Sequence, residues 1–495
     1  MRINIEGHNY KYAVEQIMLA MFPEERPEYG SVDRVGLSAE SRLAYGEIYA
    51  QAVTVIWDNS RAYRGYARVR HDRLTEKLTT DRLLQRIVKQ SFYRAAVGMA
   101  PAPPVWGSLT GIRPAKLAAA ALESGAGKKK AAKTLSRDFY VSPERAAICV
   151  DAALAAIAVK RSVEPDDIAL YVGIPFCPTR CAYCSFVSNS VEKSFGLIEP
   201  FAQKLLAEIG AAAETVRKLG LRVIAVYIGG GTPTALPVHE LEKILYALKT
   251  SFDLSNTREF TVEAGRPDTI TPQNIEVIRG LGAGRICVNP QSMSPGVLSA
   301  IGRAHTPEDA LSAAELVKRS GSILNMDVIA GLPGDAPEGF RATLDTVIGI
   351  GPENVTVHTL SLKKGSRIML ECQEIPGAAD VTAMLEYASR RLRDAGYSPY
   401  YLYRQKYASG GFENVGWTLP GFEGIYNICM MEELCTILSL GGGAVTKLVS
   451  PGGRIERVFN AKYPREYIAQ TEKAANKFYR IKEFYREIRD GSIEV

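Results

Sequence analysis

The sequence predicts an α/β protein built on a partial barrel of six βα units at 166–375, with an N-terminal α+β accessory domain at 1–165 and a mainly helical C-terminal domain at 376–495. Three observations lead there. Short strand-like runs alternate with amphipathic stretches through the middle of the chain, the mark of parallel βαβ units. Six units in about 200 residues fall short of the roughly 250 of a closed eight-fold barrel. The residues that carry chemistry fall at the C-terminal ends of the predicted strands, where parallel sheets gather function. An open doubly wound sheet is the alternative.

The length of 495 residues allows about three domains of roughly 100–200 residues each. No apolar run has membrane-spanning length, and Met1-Arg-Ile-Asn-Ile-Glu-Gly7 is too polar for a secretory signal. A soluble cytoplasmic monomer is expected. The net charge of +6 is small for the length and permits an anionic partner without demanding one. Eight cysteines in a large chain without an export signal argue against a disulfide framework. Cys429 and Cys435 are read as residues of one helix that do not share a face.

In the N-terminal part, Arg2–Tyr10, 48–57 and Arg61–Arg70 read as strands, and Ala13–Met21 and Thr80–Val97 as helices. Arg64, Tyr66, Arg68 and Arg70 alternate onto one face. Such a stripe can stack on bases and neutralise phosphates, but an exposed sheet edge looks the same. It is too short to make nucleic acid the expected partner. Lys128-Lys-Lys130 reads as a solvated helix terminus.

The predicted barrel strands are Ile168–Val172, Val223–Ile228, Glu259–Glu263, Arg285–Val288, Leu324–Ile329 and Asn354–Leu360. Directly after the first comes Cys177-Pro-Thr-Arg-Cys181-Ala-Tyr183-Cys184. Thiolates spaced this closely suit an iron–sulfur cluster, and three ligands for four irons leave one iron open to a small molecule. A zinc site is the alternative, but it would want four ligands, or three and water, and no histidine lies near. The second strand ends in Gly229-Gly230-Gly231-Thr232-Pro-Thr234. Its glycines let backbone approach a ligand and leave N–H groups free to bind it, although an ordinary turn has the same composition. Glu263 ends the third strand and can accept hydrogen bonds from a ribose or an ammonium. Asn289-Pro-Gln291 ends the fourth, and Arg303, suited to carboxylates, follows in Gly-Arg-Ala-His305. Asp327 lies on the fifth, before Gly331-Leu-Pro-Gly334. Neither His305 nor His358 is assigned a role.

Downstream, Val381–Ala395 and Tyr426–Leu438 read as helices, 396–406 as an extended tyrosine-rich stretch with Arg404 and Lys406 available to anions, and the chain from Tyr463 as helical again.

The cysteine motif with its aromatic residue, Tyr183, resembles the radical S-adenosylmethionine (SAM) superfamily. With Tyr171-Val-Gly-Ile-Pro-Phe-Cys177, the Gly-Gly-Gly-Thr-Pro turn, Val262-Glu263, Pro290-Gln291, Arg303 and Asp327, the chain from the first strand to about Leu370 resembles the oxygen-independent coproporphyrinogen III dehydrogenase family. Pro399-Tyr-Tyr-Leu-Tyr-Arg-Gln-Lys406 and the long N-terminal part resemble its HemZ-type branch. The resemblance implies a radical SAM barrel in which Cys177, Cys181 and Cys184 hold a [4Fe–4S] cluster. Tyr171, Gly230 and Glu263 match contacts to the SAM on its open iron. Tyr183, Gly231, Thr232, Gln291, Arg303 and Asp327 match contacts to a second SAM, with a one-residue shift at Gln291 and Asp327. It also implies a porphyrinogen substrate, two propionates oxidatively decarboxylated, a reductant such as flavodoxin or ferredoxin, and a C-terminal domain covering the barrel mouth. The chain departs from the pattern at Gly173, where the best-known enzyme has histidine, and at Phe186, where that enzyme has a fourth cysteine. Cys-x-Phe is shared with haem chaperones of the family. A haem chaperone that keeps the cluster, or a radical SAM enzyme acting on RNA, are the rival readings.

Overall fold

The structure is a computed structural model; it describes all residues except 33–35, 60, 101, 185–188, 363–365, 406–410, 471 and 492–495, and omits the side chains of 472–475. The chain forms two compact units, Met1–Val150 with Arg404–Phe412, and Asp151–Tyr403 with Glu413–Val495.

The first unit holds a five-stranded sheet in the spatial order Glu28–Tyr29, Arg2–Glu6, Leu37–Tyr45, Tyr49–Asp58, Arg61–Arg70. Every second residue from Ala50 to Ile56 is buried, which sets one face against a core shared with the helices Lys11–Met21 and Lys77–Ala96. The first strand stops at Glu6, short of the expected Tyr10. Gly7 turns there with φ +73°, and a Cβ on it would lie 2.0 Å from the Leu43 carbonyl oxygen. Arg64, Tyr66, Arg68 and Arg70 do share the exposed face. Arg70 pairs with Asp72 at 3.0 Å and Arg68 lies 4.3 Å over the Tyr49 ring. Lys128–Lys130 form the first turn of the helix Lys128–Phe139.

The second unit carries an eleven-stranded sheet. Its centre is six parallel strands lying side by side in chain order: Asp167–Ile174, Arg222–Gly230, Glu259–Gly265, Arg285–Gln291, Ile323–Ala330 and Asn354–Thr359. A doubly wound sheet reverses its strand order at a switch point; these six do not, and the barrel-type winding holds. The helices Ile198–Lys218, Val238–Ser251, Pro272–Gly280, Pro307–Arg319 and Pro337–Ile350 follow successive strands. Pro at the first helical position starts three of them.

The C-terminal part has more helix than strand, as expected, and adds five strands to the sheet. Thr436–Gly441 pairs in parallel with the first barrel strand, and Val445–Val449 and Ile455–Phe459 continue the sheet beyond it. Glu413–Thr418 pairs antiparallel with the sixth strand and is bordered by Ser398–Arg404. The expected helix over Tyr426–Leu438 is two elements. Helix Ile425–Glu432 ends at Glu433 with φ +58°, and the strand follows. The helix is largely apolar and the strand is buried at every position, so no change of periodicity marks the boundary. That break brings Cys429 and Cys435 into one buried cluster, contrary to the reading that kept them apart. Lys406 lies outside the described residues.

Candidate active site

The interior of the six-stranded sheet is layered. At its floor Arg285 donates to Asn354 Oδ1 (2.7 Å) and to the Phe422 carbonyl (3.0 Å), and Glu259 accepts the Tyr426 N–H (2.9 Å). The loop and helix at 419–432 thereby plug one end. Above them Tyr227 stacks on Tyr426 with ring centroids 4.3 Å apart, and Tyr171 stacks alongside. Burial pushes the hydroxyls of all three well above the ordinary tyrosine range.

The next layer is acidic. The Tyr227 hydroxyl donates to Glu263 Oε1. Burial and the neighbouring Asp327 charge push the Glu263 carboxyl up to about 7, against the opposing Tyr227 bond and His358. Asp327 accepts from Asn325 Nδ2 (2.8 Å) and faces His358 Nε2 at 3.5 Å. Burial works against both charges, yet their pairing holds Asp327 below and His358 above their ordinary values.

The cysteine loop caps this end. Phe176, fully buried, packs edge-on against Phe201 at 5.2 Å and anchors the loop's start. Ala182 ties it at two points, donating N–H to the Ile301 carbonyl (2.9 Å) and accepting from Ile368 N (3.4 Å). Thr232 Oγ1 donates to Cys177 Sγ at 3.5 Å, and Arg266 Nη1 to Cys181 Sγ at 3.8 Å. Arg303 donates to the Tyr183 hydroxyl (2.9 Å) and the Asn289 carbonyl (2.6 Å), and its charge lies near Cys181. Phe186 lies outside the described residues.

The glycine turn works differently from expectation. Gly231 N–H donates to the Ile174 carbonyl and Thr232 N–H to the Phe176 carbonyl, each at 2.7 Å. These amides are therefore spent on the cysteine loop rather than free for a ligand. A Cβ on Gly231 would sit 2.3 Å from the Phe176 oxygen, and Gly230, with φ +100°, lies under the Tyr171 hydroxyl. Glycine is required here because two strand ends touch.

Gln291 ends the fourth strand in the left-handed region, φ +67°, and is 5% exposed. Its Oε1, like Asn289 Oδ1, is buried without a hydrogen-bond partner among the described residues. Orphaned acceptors at a strained strand end fit a polar ligand that completes them. The sulfurs, which accept from an arginine and a threonine, fit an anionic cluster. Among the described residues no three His, Cys, Asp or Glu side chains form a set for a single metal ion; cluster ligands bind separate irons and need not converge on one. The twelve residues singled out in the sequence lie in the C-terminal halves of the first five strands or in the segments that follow the first, second and fourth of them. Sequence reasoning missed Arg266, Tyr227 and Tyr426, named Asn289 without giving it a role, and left His358 unassigned.

Comparison with known proteins places this geometry. The radical SAM superfamily model matches residues 171–347. The oxygen-independent coproporphyrinogen-III oxidase-like protein HemZ of Bacillus subtilis is 40% identical over 370 residues, 73% of this chain and 74% of HemZ. The chain belongs to the radical SAM family of oxygen-independent coproporphyrinogen-III oxidase-like proteins. Radical SAM proteins of this kind use a [4Fe–4S] cluster and SAM. The heme chaperone HemW of Haemophilus influenzae is 26% identical over 305 residues, 61% of this chain and 76% of that protein. Among solved structures, coproporphyrinogen III oxidase (HemN) from Escherichia coli has 19% identity and a TM-score of 0.49, covering 65% of this chain and 72% of that one. Among the described residues no helix is long and apolar enough to cross a membrane.

Proposed function

We propose that this chain oxidatively decarboxylates two propionate side chains of coproporphyrinogen III, giving the vinyl groups of protoporphyrinogen IX. The observation that carries the reading is the 40% identity to an oxygen-independent coproporphyrinogen-III oxidase-like protein over most of both chains. The convergence of the strand-end residues on one end of the barrel supports it.

In this reading Cys177, Cys181 and Cys184 hold three irons of the cluster. Tyr171, Gly230 and Glu263 would hold one SAM, and Tyr183, Gly231, Thr232, Gln291, Arg303 and Asp327 a second, Gly231 and Thr232 through atoms other than the amide N–H groups spent on the loop. When bound, cluster and SAM supply reductive cleavage of a sulfonium and hence hydrogen-atom removal from an unactivated carbon. The chain's own residues supply position. Gly231 and Thr232 lock the cysteine loop onto the second strand through their amides. Gln291 and Asn289 offer unfilled acceptors. Glu263, near neutrality, can hold a proton on its carboxyl or accept from a ligand donor. The tyrosine stack and the 419–432 plug keep water from entering below. The protein works as a cytoplasmic monomer served by a flavodoxin- or ferredoxin-type reductant.

The second reading, a haem chaperone that retains the cluster, draws on the HemW relatives. Anaerobic incubation of the reconstituted protein with SAM, reductant and coproporphyrinogen III separates the two. Protoporphyrinogen is the expected product. Tight haem binding with no vinyl product moves the assignment to the chaperone.

A further inference from the structure

Arg266 belongs to none of the recognised motifs. It follows Gly265, the last residue of the third strand, and its side chain is among the largest that are fully buried. Burying a guanidinium is costly unless it is paired and hydrogen-bonded. The pairing comes from Asp268, gripped by Nε and Nη2 at 3.0 Å each. That fork satisfies the charge. The remaining nitrogen, Nη1, turns to the cysteine loop, where it donates to Thr179 Oγ1 at 3.1 Å and reaches Cys181 Sγ at 3.8 Å. Thr179 itself donates to the Gly302 carbonyl at 3.4 Å. Arg303, which holds the Tyr183 hydroxyl of the same loop at 2.9 Å, adds its charge near the same sulfur, and His305, buried, feels both arginines and Asp268.

A stabilising role alone would be complete with the bidentate pair. The third contact puts a buried positive charge, anchored on both sides, against one sulfur of the loop. Hydrogen bonds and charge at ligand sulfurs are the means by which a protein sets the potential of an iron–sulfur cluster. We propose that Arg266, oriented by Asp268, raises the reduction potential of the cluster held by Cys181. Reduction adds one electron and one negative charge and breaks no bond. A cation at the ligand sulfur favours that state, and the carboxylate behind it moderates the effect. Arg266 is a positioning and tuning residue. The proposal rests on cluster ligation by Cys181 and is independent of the substrate.

The sign of the effect is its test. The full-length chain, reconstituted anaerobically, is titrated against redox mediators while the reduced cluster is followed by electron paramagnetic resonance. Iron and sulfide per chain are measured first. Arg266→Gln is expected to lower the midpoint so that the ratio of reduced to oxidised cluster at the wild-type midpoint falls about tenfold, about 59 mV for a one-electron couple. Arg266→Lys is expected to recover part of the shift. Asp268→Asn, which leaves the arginine less compensated, is expected to move the midpoint up. Shifts of opposite sign at full iron content support the proposal. An unchanged midpoint in Arg266→Gln, or shifts of the same sign, overturn it. Should Arg266→Gln lose its cluster, Asp268→Asn decides: no upward shift overturns the proposal. A wild-type chain without iron overturns the cluster assignment itself, and is seen before any titration.

Discussion

Tyr227 donates its hydroxyl to Glu263, and the carboxylate that receives it shares the barrel interior with Asp327. The Glu263 carboxyl stands at about 7, against an ordinary value of 4.5. Between those pH values the folded chain holds a proton that the unfolded chain has released, so stability falls as pH rises through the window. Glu263→Gln removes that penalty while keeping an acceptor for Tyr227. The ligand-free variant is expected to exceed wild type by up to about 3 kcal/mol at pH 8 and to match it near pH 4.5. Urea unfolding at the two pH values measures the difference; an equal offset at both would show that packing, not ionisation, is responsible.

Gln291 holds a left-handed backbone, φ +67°, with its side-chain oxygen buried and unmatched among the described residues. A non-glycine residue in that conformation costs about 1–3 kcal/mol. Gln291→Gly is therefore expected to stabilise the ligand-free chain by about 1 kcal/mol and to weaken SAM binding about tenfold, about 1.4 kcal/mol. Calorimetry with SAM and thermal unfolding read the two effects separately. A variant that binds SAM as well as wild type would take Gln291 out of the site.

Much of this site was legible because its chemistry is local. Cys177, Cys181 and Cys184 lie within one short loop, and the six strands announce themselves by alternating with helices. What was not legible depends on register between distant segments. The amides of Gly231 and Thr232 looked free because nothing local shows that the Ile174 and Phe176 carbonyls sit opposite them. Arg266 looked like one more charged residue after a strand, since its partners Thr179 and Cys181 are over eighty positions away. Thr436–Gly441 was hidden because a strand buried on both faces loses its alternation beside an apolar helix.

Gly231 provides a steric test of that register. Its added Cβ would meet the Phe176 and Ile174 carbonyl oxygens at 2.3 and 2.7 Å. Those carbonyls are fixed by the bonds they accept, so the loop carrying Cys177 must shift. Gly231→Ala is expected to cost about 2–3 kcal/mol and to lower iron incorporation severalfold. Gly349→Ala, on an exposed helix turn with nothing within 4 Å of the new carbon, is expected to gain about 0.5–1 kcal/mol with iron unchanged. Thermal midpoints and iron per chain check both. Full iron loading in Gly231→Ala would show that the loop tolerates the shift.

Glu208, on the helix Ile198–Lys218, draws the C-terminal helix against the barrel. It accepts from Lys477 Nζ (2.8 Å), Gly441 N (2.8 Å), Tyr467 Oη (2.7 Å) and Asn460 Nδ2 (2.8 Å), and both members of the ion pair are buried. Burial opposes the charge on Glu208, but Lys477 and the other donors hold its carboxyl below the ordinary range. Lys477→Met strands a buried carboxylate and is expected to cost about 3–5 kcal/mol at neutral pH. Adding Glu208→Gln should recover much of that loss, because the lone charge is gone. Without the lysine, the Glu208 carboxyl rises and takes up a proton as pH falls, so the deficit of the single variant shrinks toward acid. Urea unfolding of both single variants and the double variant at pH 7 and pH 5 measures the coupling. A deficit of Lys477→Met that stays constant with pH would assign the loss to lysine packing rather than to the stranded charge.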